Sequence, residues 1–289
     1  SKGDNTICPL HMWKFNPVTG LYDNGVKKRE IDYIIKKNLL HIDDTEYTPH
    51  IAQVKKKLNT ELRFFNHAFV KISSEDFSFS TDPWAIGPAF NTGWWLKHST
   101  KDDWVDQLNS SSFIYISHNH PDHLHPLTLS KINKKIPVVV PNFITKSTEN
   151  YIYDLGFENI EILDFNTQYN LKNTNLIISI LKSGDFREDS GIYFSNGDFT
   201  ALLSVDSNMI NFDRLPKVNL YGCSFAGGAS GYPFMFDNYK VDEQIKIFLR
   251  QKSFGKQKVF DRLKYMSPNF FMPYAGFFST KLQRDKKIS

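Results

Sequence analysis

The order of apolar runs and turn residues in this 289-residue chain predicts an α+β fold, a four-layer αββα sandwich from about residue 61 to the C-terminus. Three observations carry that expectation. The apolar run Phe113-Ile114-Tyr115-Ile116 feeds directly into His118-Asn119-His120-Pro121-Asp122-His123, four potential metal ligands in six residues. Strand-like runs precede and follow this loop. Later, Asn196-Gly197 separates two further apolar runs, which is a strong hairpin signal.

Residues 25–61 are Lys-rich and are expected to be helical or irregular, a linker passing through Ile31-Asp32-Tyr33-Ile34-Ile35 and Thr48-Pro49. Residues 66–72 and 77–83 read as two strands, the second closing in the acid-proline turn Asp82-Pro83. Residues 113–116 form the strand that delivers the histidine loop, and residues 127–133 a helix behind it. Pro137-Val138-Val139-Val140-Pro141 is a short buried strand. Residues 191–195 and 199–205 are the two arms of the hairpin, and the second arm runs into Asp206.

Side chains alternate along a strand, so His118 and His120 can face one side, while Asp122 and His123 fall where the chain turns into the next element. Two divalent ions could share the loop. Four of the nine histidines lie between 118 and 125, a clustering that scattered surface histidines would not show. His125, near the start of the helix, is a weaker candidate. His67 and His98 read as packing residues, because a lone histidine near aromatics is more often hydrogen-bonded in a core than ligating. Trp84, Trp94 and Trp95 fit a substrate cleft or a core equally well.

The loop His-x-His-x-Asp-His after a buried strand resembles the metallo-β-lactamase superfamily. The resemblance implies that Asp206 bridges two metal positions and that Asp122 and Asp206 serve catalysis. The pattern also departs from that superfamily, since no histidine follows His125. Where a further histidine would stand, Lys182-Ser183-Gly184-Asp185-Phe186 offers Asp185; near the C-terminus, Pro273-Tyr274-Ala275-Gly276-Phe277 offers only a tyrosine. Carboxylate in place of imidazole moves the set from zinc toward non-haem iron, so the expected ion is a mononuclear iron with zinc as the alternative.

Cys8-Pro9-Leu10-His11-Met12-Trp13, continuing to Gly20, resembles the second half of a Rieske [2Fe–2S] signature. That resemblance implies cluster ligation by Cys8 and His11, with residues 1–25 the end of a Rieske domain, 26–60 a linker and 61–289 the metal-binding domain. A cluster needs two such loops, and Cys223, the only other cysteine, lacks a Cys-x-His context. A partner loop is therefore expected upstream of Ser1, the chain reads as a fragment, and these residues alone should neither hold a cluster nor hydroxylate.

The pairing of the two modules resembles the CMP-N-acetylneuraminate hydroxylase family, as does the Gly-rich run Gly227-Gly228-Ala229-Ser230-Gly231, although glycines there would also merely permit turns. The family implies an iron-dependent monooxygenase acting on a nucleotide-sugar substrate, with an electron-donor protein and a reductase as partners. The runner-up is a metal-dependent hydrolase acting on a phosphodiester, lactone or amide. A non-catalytic remnant is the third reading.

Composition sets limits consistent with this. Forty per cent hydrophobic content, 15% of the chain being aromatic, is enough to bury one main core with an appendage. A net charge of +4 and short lysine runs without any nucleic-acid-binding signature give no reason to expect nucleic acid. No run of about 18 apolar residues exists, so no membrane span is expected. Two cysteines in separate segments fit a reducing compartment, and the expected location is cytoplasmic.

Overall fold

Strands that carry apolar side chains on both faces need cover on both, and this requirement shapes the molecule. The structure is a computed structural model that describes residues 59–280, apart from 208, 213–214, 226–231 and 235, and before them residues 6–7, 14–16, 19, 21–22, 33–36 and 39–42. The chain divides into two compact units, Ser1–Lys55 and Lys56–Ser289.

In the first unit, β1 (Thr6–Ile7), β2 (Lys14–Asn16) and β3 (Leu21–Tyr22) form an antiparallel sheet in that order. Cys8 and His11 lie outside the described residues. β4 (Tyr33–Lys36) and β5 (Leu39–Ile42) pair as an antiparallel hairpin with Tyr33 opposite Ile42. This corrects the helical or irregular structure expected over 25–61 at residues 33–36 and 39–42. Strand-forming Tyr33, Ile34 and Ile35 stand two residues of connection away from a second apolar run, which favours a tight hairpin.

The second unit opens with β6 (Glu61–Asn66), β7 (Phe69–Ser73), β8 (Ser78–Thr81), β9 (Pro88–Ala89), β10 (Trp94–Leu96), α1 (Trp104–Asn109) and β11 (Phe113–Tyr115). It continues through α2 (Pro126–Leu129), β12 (Val138–Pro141), α3 (Ser147–Asp154), β13 (Ile160–Leu163), β14 (Gln168–Asn170), β15 (Ile177–Lys182) and β16 (Ser190–Ser195). β17 (Thr200–Leu203), β18 (Leu220–Ser224), α4 (Val241–Met266), β19 (Phe270–Tyr274) and β20 (Phe278–Thr280) complete it. Two six-stranded sheets result, ordered β13-β12-β11-β8-β7-β6 and β14-β15-β16-β17-β18-β19; a small third sheet is ordered β20-β10-β9.

Alternation assigns the layers. On β11, Phe113 and Tyr115 join Val139, Val70 and Ile72 in a core shared with Ile180, Ile192, Phe194 and Leu203 of the other sheet. Their neighbours Ile114, Val138 and Val140 face the opposite way, against Trp104 and Leu108 of α1, Leu129 of α2 and Ile152 of α3. In the second sheet, Leu202, Tyr221 and Cys223 face away from the shared core and pack with Met266, Val259 and Leu263 of α4. The order is helix, sheet, sheet, helix, the expected αββα sandwich. Phe79 ties the two sheets together, stacked 4.9 Å from Phe113 and edge-on 5.3 Å from Phe194.

Strands β8, β11 and β12 run parallel, so their C-terminal ends open on one rim of the sandwich. The antiparallel β6–β7 turn reaches the same rim. Here the strand expected from residue 66 is interrupted: β6 ends at Asn66, β7 begins at Phe69, and His67 turns between them with φ 43°.

Candidate metal centre

Five connections deliver side chains to this rim. The loop after β11 brings His118, His120, Asp122 and His123; the β6–β7 turn brings His67; the segment after β8 brings Asp82; the β15–β16 loop brings Asp189; and the residues after β17 bring Asp206. Ligand atoms of three trios lie within 4.8 Å of one another: His118, His120 and Asp189; His67, Asp122 and His123; His118, His123 and Asp206. The first two trios share no residue, and the third spans them.

In the first trio, His118 Nε2 and His120 Nδ1 face each other at 2.8 Å, and Asp189 Oδ1 lies 3.7 Å from His118 Nε2. In the second, Asp122 Oδ2 stands 3.1 Å from His67 Nε2 and 3.4 Å from His123 Nε2. Asp206 Oδ2 is 3.6 Å from that same His123 nitrogen. Each trio gathers one potential ligand atom from every member.

Supporting residues fix which nitrogen faces inward. Asp82 accepts from the Ser117 N–H and the Ser117 hydroxyl, both at 2.7 Å, and pairs with His123 Nδ1 at 3.1 Å. The Ser117 hydroxyl, its one proton donated to Asp82, is left to accept from His118 Nδ1 at 2.9 Å. Both rings therefore keep a proton on Nδ1 and turn Nε2 to the centre, the arrangement carboxylate and hydroxyl partners enforce on metal-binding histidines. Backbone strain collects at the same places. His67, Asp82 and Val205 all have positive φ, 43°, 39° and 50°, and for β-branched Val205 this is a costly conformation.

Electrostatics favour a cation. Among the described residues, Asp82, Asp122, Asp185, Asp189 and Asp206 meet one permanent cation, Arg187, which leaves a formal four negative charges among these groups, the charge of two divalent ions. Without metal, one proton carries part of that load. Burial disfavours charge on His123, yet the Asp122 charge and bonds from Asp122, Asp206 and Asp82 outweigh it and raise its pKa well above the imidazole value. Burial likewise opposes ionisation of Asp122 and Asp206, but His123 pulls Asp122 well below the carboxylate range and Asp206 down to about 2. Burial, helped by the His123 charge, lowers His118 well below its usual value. Two buried atoms here also lack hydrogen-bond partners: His67 Nδ1 and Asp122 Oδ1. An orphaned buried polar atom costs about 1–3 kcal/mol. The donor set fits metal ions.

The sequence-predicted ligands His118, His120, Asp122, His123 and Asp206 come together. Asp185 does not join any trio; its carboxylate is held by Arg187, and Asp189, four residues on, takes the position expected of it. His67, read as a packing residue, is instead a member of the second trio. The missed signal was its place in the turn between two strands that end on the rim. His125 is turned away as the N-cap of α2, its Nδ1 accepting from Thr128 N at 3.2 Å, and His98 is exposed. Trp84 and Trp94 are buried, while Trp95 is partly exposed.

The αββα sandwich with its ligands on one rim defines a metal-binding protein of the metallo-β-lactamase fold. Solved structures of this shape include CmlA, a diiron β-hydroxylase from Streptomyces venezuelae, with TM-score 0.51 at 15% identity over 76% of this chain and 45% of that one. An isothiocyanate hydrolase from Delia radicum gut bacteria gives TM-score 0.53 at 14% identity, covering 78% of this chain and 90% of the other. No family model matches the chain. Among curated proteins, the chain is similar to proteins named cytidine monophosphate-N-acetylneuraminic acid hydroxylase. It is 32% identical to the Mus musculus protein of that name over 308 residues, 99% of this chain and 52% of that protein. The chain spans about half the length of the curated relatives it matches. Among the described residues, no helix is long and apolar enough to cross a membrane.

Proposed function

We propose that this chain is the metal-binding part of an iron-dependent monooxygenase that hydroxylates the N-acetyl group of CMP-N-acetylneuraminate, giving the N-glycolyl product. The observation that carries this reading is the two-histidine, one-carboxylate trio His118, His120 and Asp189 in a homologue of proteins named for that hydroxylation. Such a set suits iron better than zinc. The second trio, His67, Asp122 and His123, adds room for a second ion, with Asp206 between them; this extends the single iron expected from the loop alone.

Bound iron would supply O₂ activation, and insertion of one oxygen atom into a C–H bond consumes two electrons and two protons and releases water. The electrons come from an electron-donor protein and a reductase, through a Rieske cluster to which Cys8 and His11 would contribute half the ligands. The chain's own contribution is to hold and to shield. Asp82 and Ser117 keep two imidazoles turned inward. Phe90 lies 6.2 Å from the His120 ring and 4.6 Å from Trp94, which stacks on Phe278 at 3.7 Å, and Phe278 in turn meets His67 at 5.9 Å. This aromatic wall excludes water from one side of the centre and can take the apolar side of a sugar.

The test uses the protein in which this chain stands, loaded with iron and supplied with reductant and ¹⁸O₂. One ¹⁸O atom should appear in N-glycolyl product. A metallo-β-lactamase-fold hydrolase would instead turn over without reductant and without consuming O₂, and that result would replace the proposal.

A further inference from the structure

Arg187 stands at the metal rim among the aspartates. Its side chain is 39% exposed, and the guanidinium faces two carboxylates. Asp185 Oδ2 accepts from Nε at 2.9 Å and lies 2.8 Å from Nη2. Asp189 Oδ2 lies 3.1 Å from Nη1. Nη2 also reaches the main-chain oxygen of Asp206, at 3.5 Å. One rigid planar group thus touches both residues that bring carboxylates to the trios from outside the histidine loop. Asp189 divides its oxygens, with Oδ1 toward His118 and Oδ2 toward Arg187.

We infer that Arg187 is a positioning residue that holds Asp189 and the Asp206 backbone in ligating geometry, with Asp185 as the anchor of its guanidinium. This rests on the metal-centre reading above and deepens it. Arginine suits the task because its fork is planar and permanently charged, so it fixes direction as well as distance. A lysine offers a point charge and no fork. The role also explains Asp185: its place in the loop suggested a ligand, but it acts through the arginine.

The loop does not depend on Arg187 for its path. Ser183 N donates to Asp189 O at 3.0 Å and Gly184 N to Met209 O at 2.9 Å, both main-chain bonds that side-chain changes leave intact. Gly184 allows the close approach, since a Cβ there would lie 2.6 Å from Met209 O. An Arg187→Met variant should therefore fold, with a freed Asp189.

Cobalt(II) added to metal-free protein tests this, with affinity read by chelator competition and geometry by the visible d–d absorption. Outer residues that orient ligands typically contribute 10–100-fold to metal affinity. Arg187→Met should weaken one equivalent by that factor and change its absorption, while the metal-free protein keeps the parental far-UV circular dichroism and gel-filtration volume. Arg187→Lys should recover part of the affinity but not the parental spectrum, and Asp185→Asn should shift the spectrum in the same direction as Arg187→Met. Parental affinity and spectrum in Arg187→Met would overturn the inference. If the parent itself takes up no cobalt, the metal-centre reading falls first.

Discussion

Replacing Asp82 by asparagine should loosen metal at the second trio without dismantling the fold. Asp82 is fully buried, and its carboxylate accepts three bonds: Ser117 N and Ser117 Oγ at 2.7 Å and His123 Nδ1 at 3.1 Å. The asparagine side chain would keep the volume and one carbonyl oxygen, so the bond from Ser117 N survives. Its amide nitrogen would then face a hydroxyl and a ring N–H that both need an acceptor. Each charge-assisted bond lost costs about 1.5–3 kcal/mol of stability. The ring of His123 is freed to rotate or to change tautomer, and an orienting carboxylate of this kind is worth about 10–100-fold in metal affinity. At about 1.4 kcal/mol per decade, that is about 1.4–2.8 kcal/mol. Chelator competition with zinc or cobalt on metal-free protein, with denaturant unfolding in parallel, measures both numbers. An Asp82→Asn protein that folds and binds every equivalent with parental affinity would refute the orientation argument.

His67→Ala should lower metal stoichiometry from two ions to one, leaving the His118, His120 and Asp189 site within about tenfold of its parental affinity, since no atom of that trio is touched; elemental analysis after gel filtration decides, and two retained ions would remove His67 from the ligand set. His125→Ala should cost about 1 kcal/mol as a lost helix cap and leave metal binding unchanged; a change in stoichiometry would contradict the capping role. The metal-free protein should show two pH limbs in denaturant titrations. Asp122 and Asp206, held low by His123, stabilise above the unfolded carboxylate value near ~4, and the Asp206 contribution is lost as pH falls through about 2. His123, raised by Asp122, stabilises below ~6.5, and that contribution is lost as pH rises through its higher folded value. A flat profile across both limbs would mean that these groups do not interact as their distances require.

What the sequence determined by itself is what lies close together along the chain. The strand of residues 113–116 and the four ligands within six residues needed only local alternation and a turn, so His118, His120, Asp122 and His123 were legible, as was the Asn196-Gly197 hairpin whose second arm ends near Asp206. The αββα layering followed from the order of elements along the chain: strand, strand, ligand loop, helix, strand, then a hairpin carrying an acid. Tertiary structure alone brought the other two candidate ligands to the rim. Asp185 and Asp189 sit in one loop, and only the β15–β16 register, with Lys182 opposite Ser190, places Asp189 beside His118 and leaves Asp185 to Arg187. His67 is separated by 55 residues from Asp122, and no periodicity links them. They meet because β6 and β7 turn at the rim where the parallel strands end, a consequence of sheet order. The hairpin of β4 and β5 was missed for a related reason: strand pairing lowers the energy of two apolar runs jointly, and neither run shows it alone.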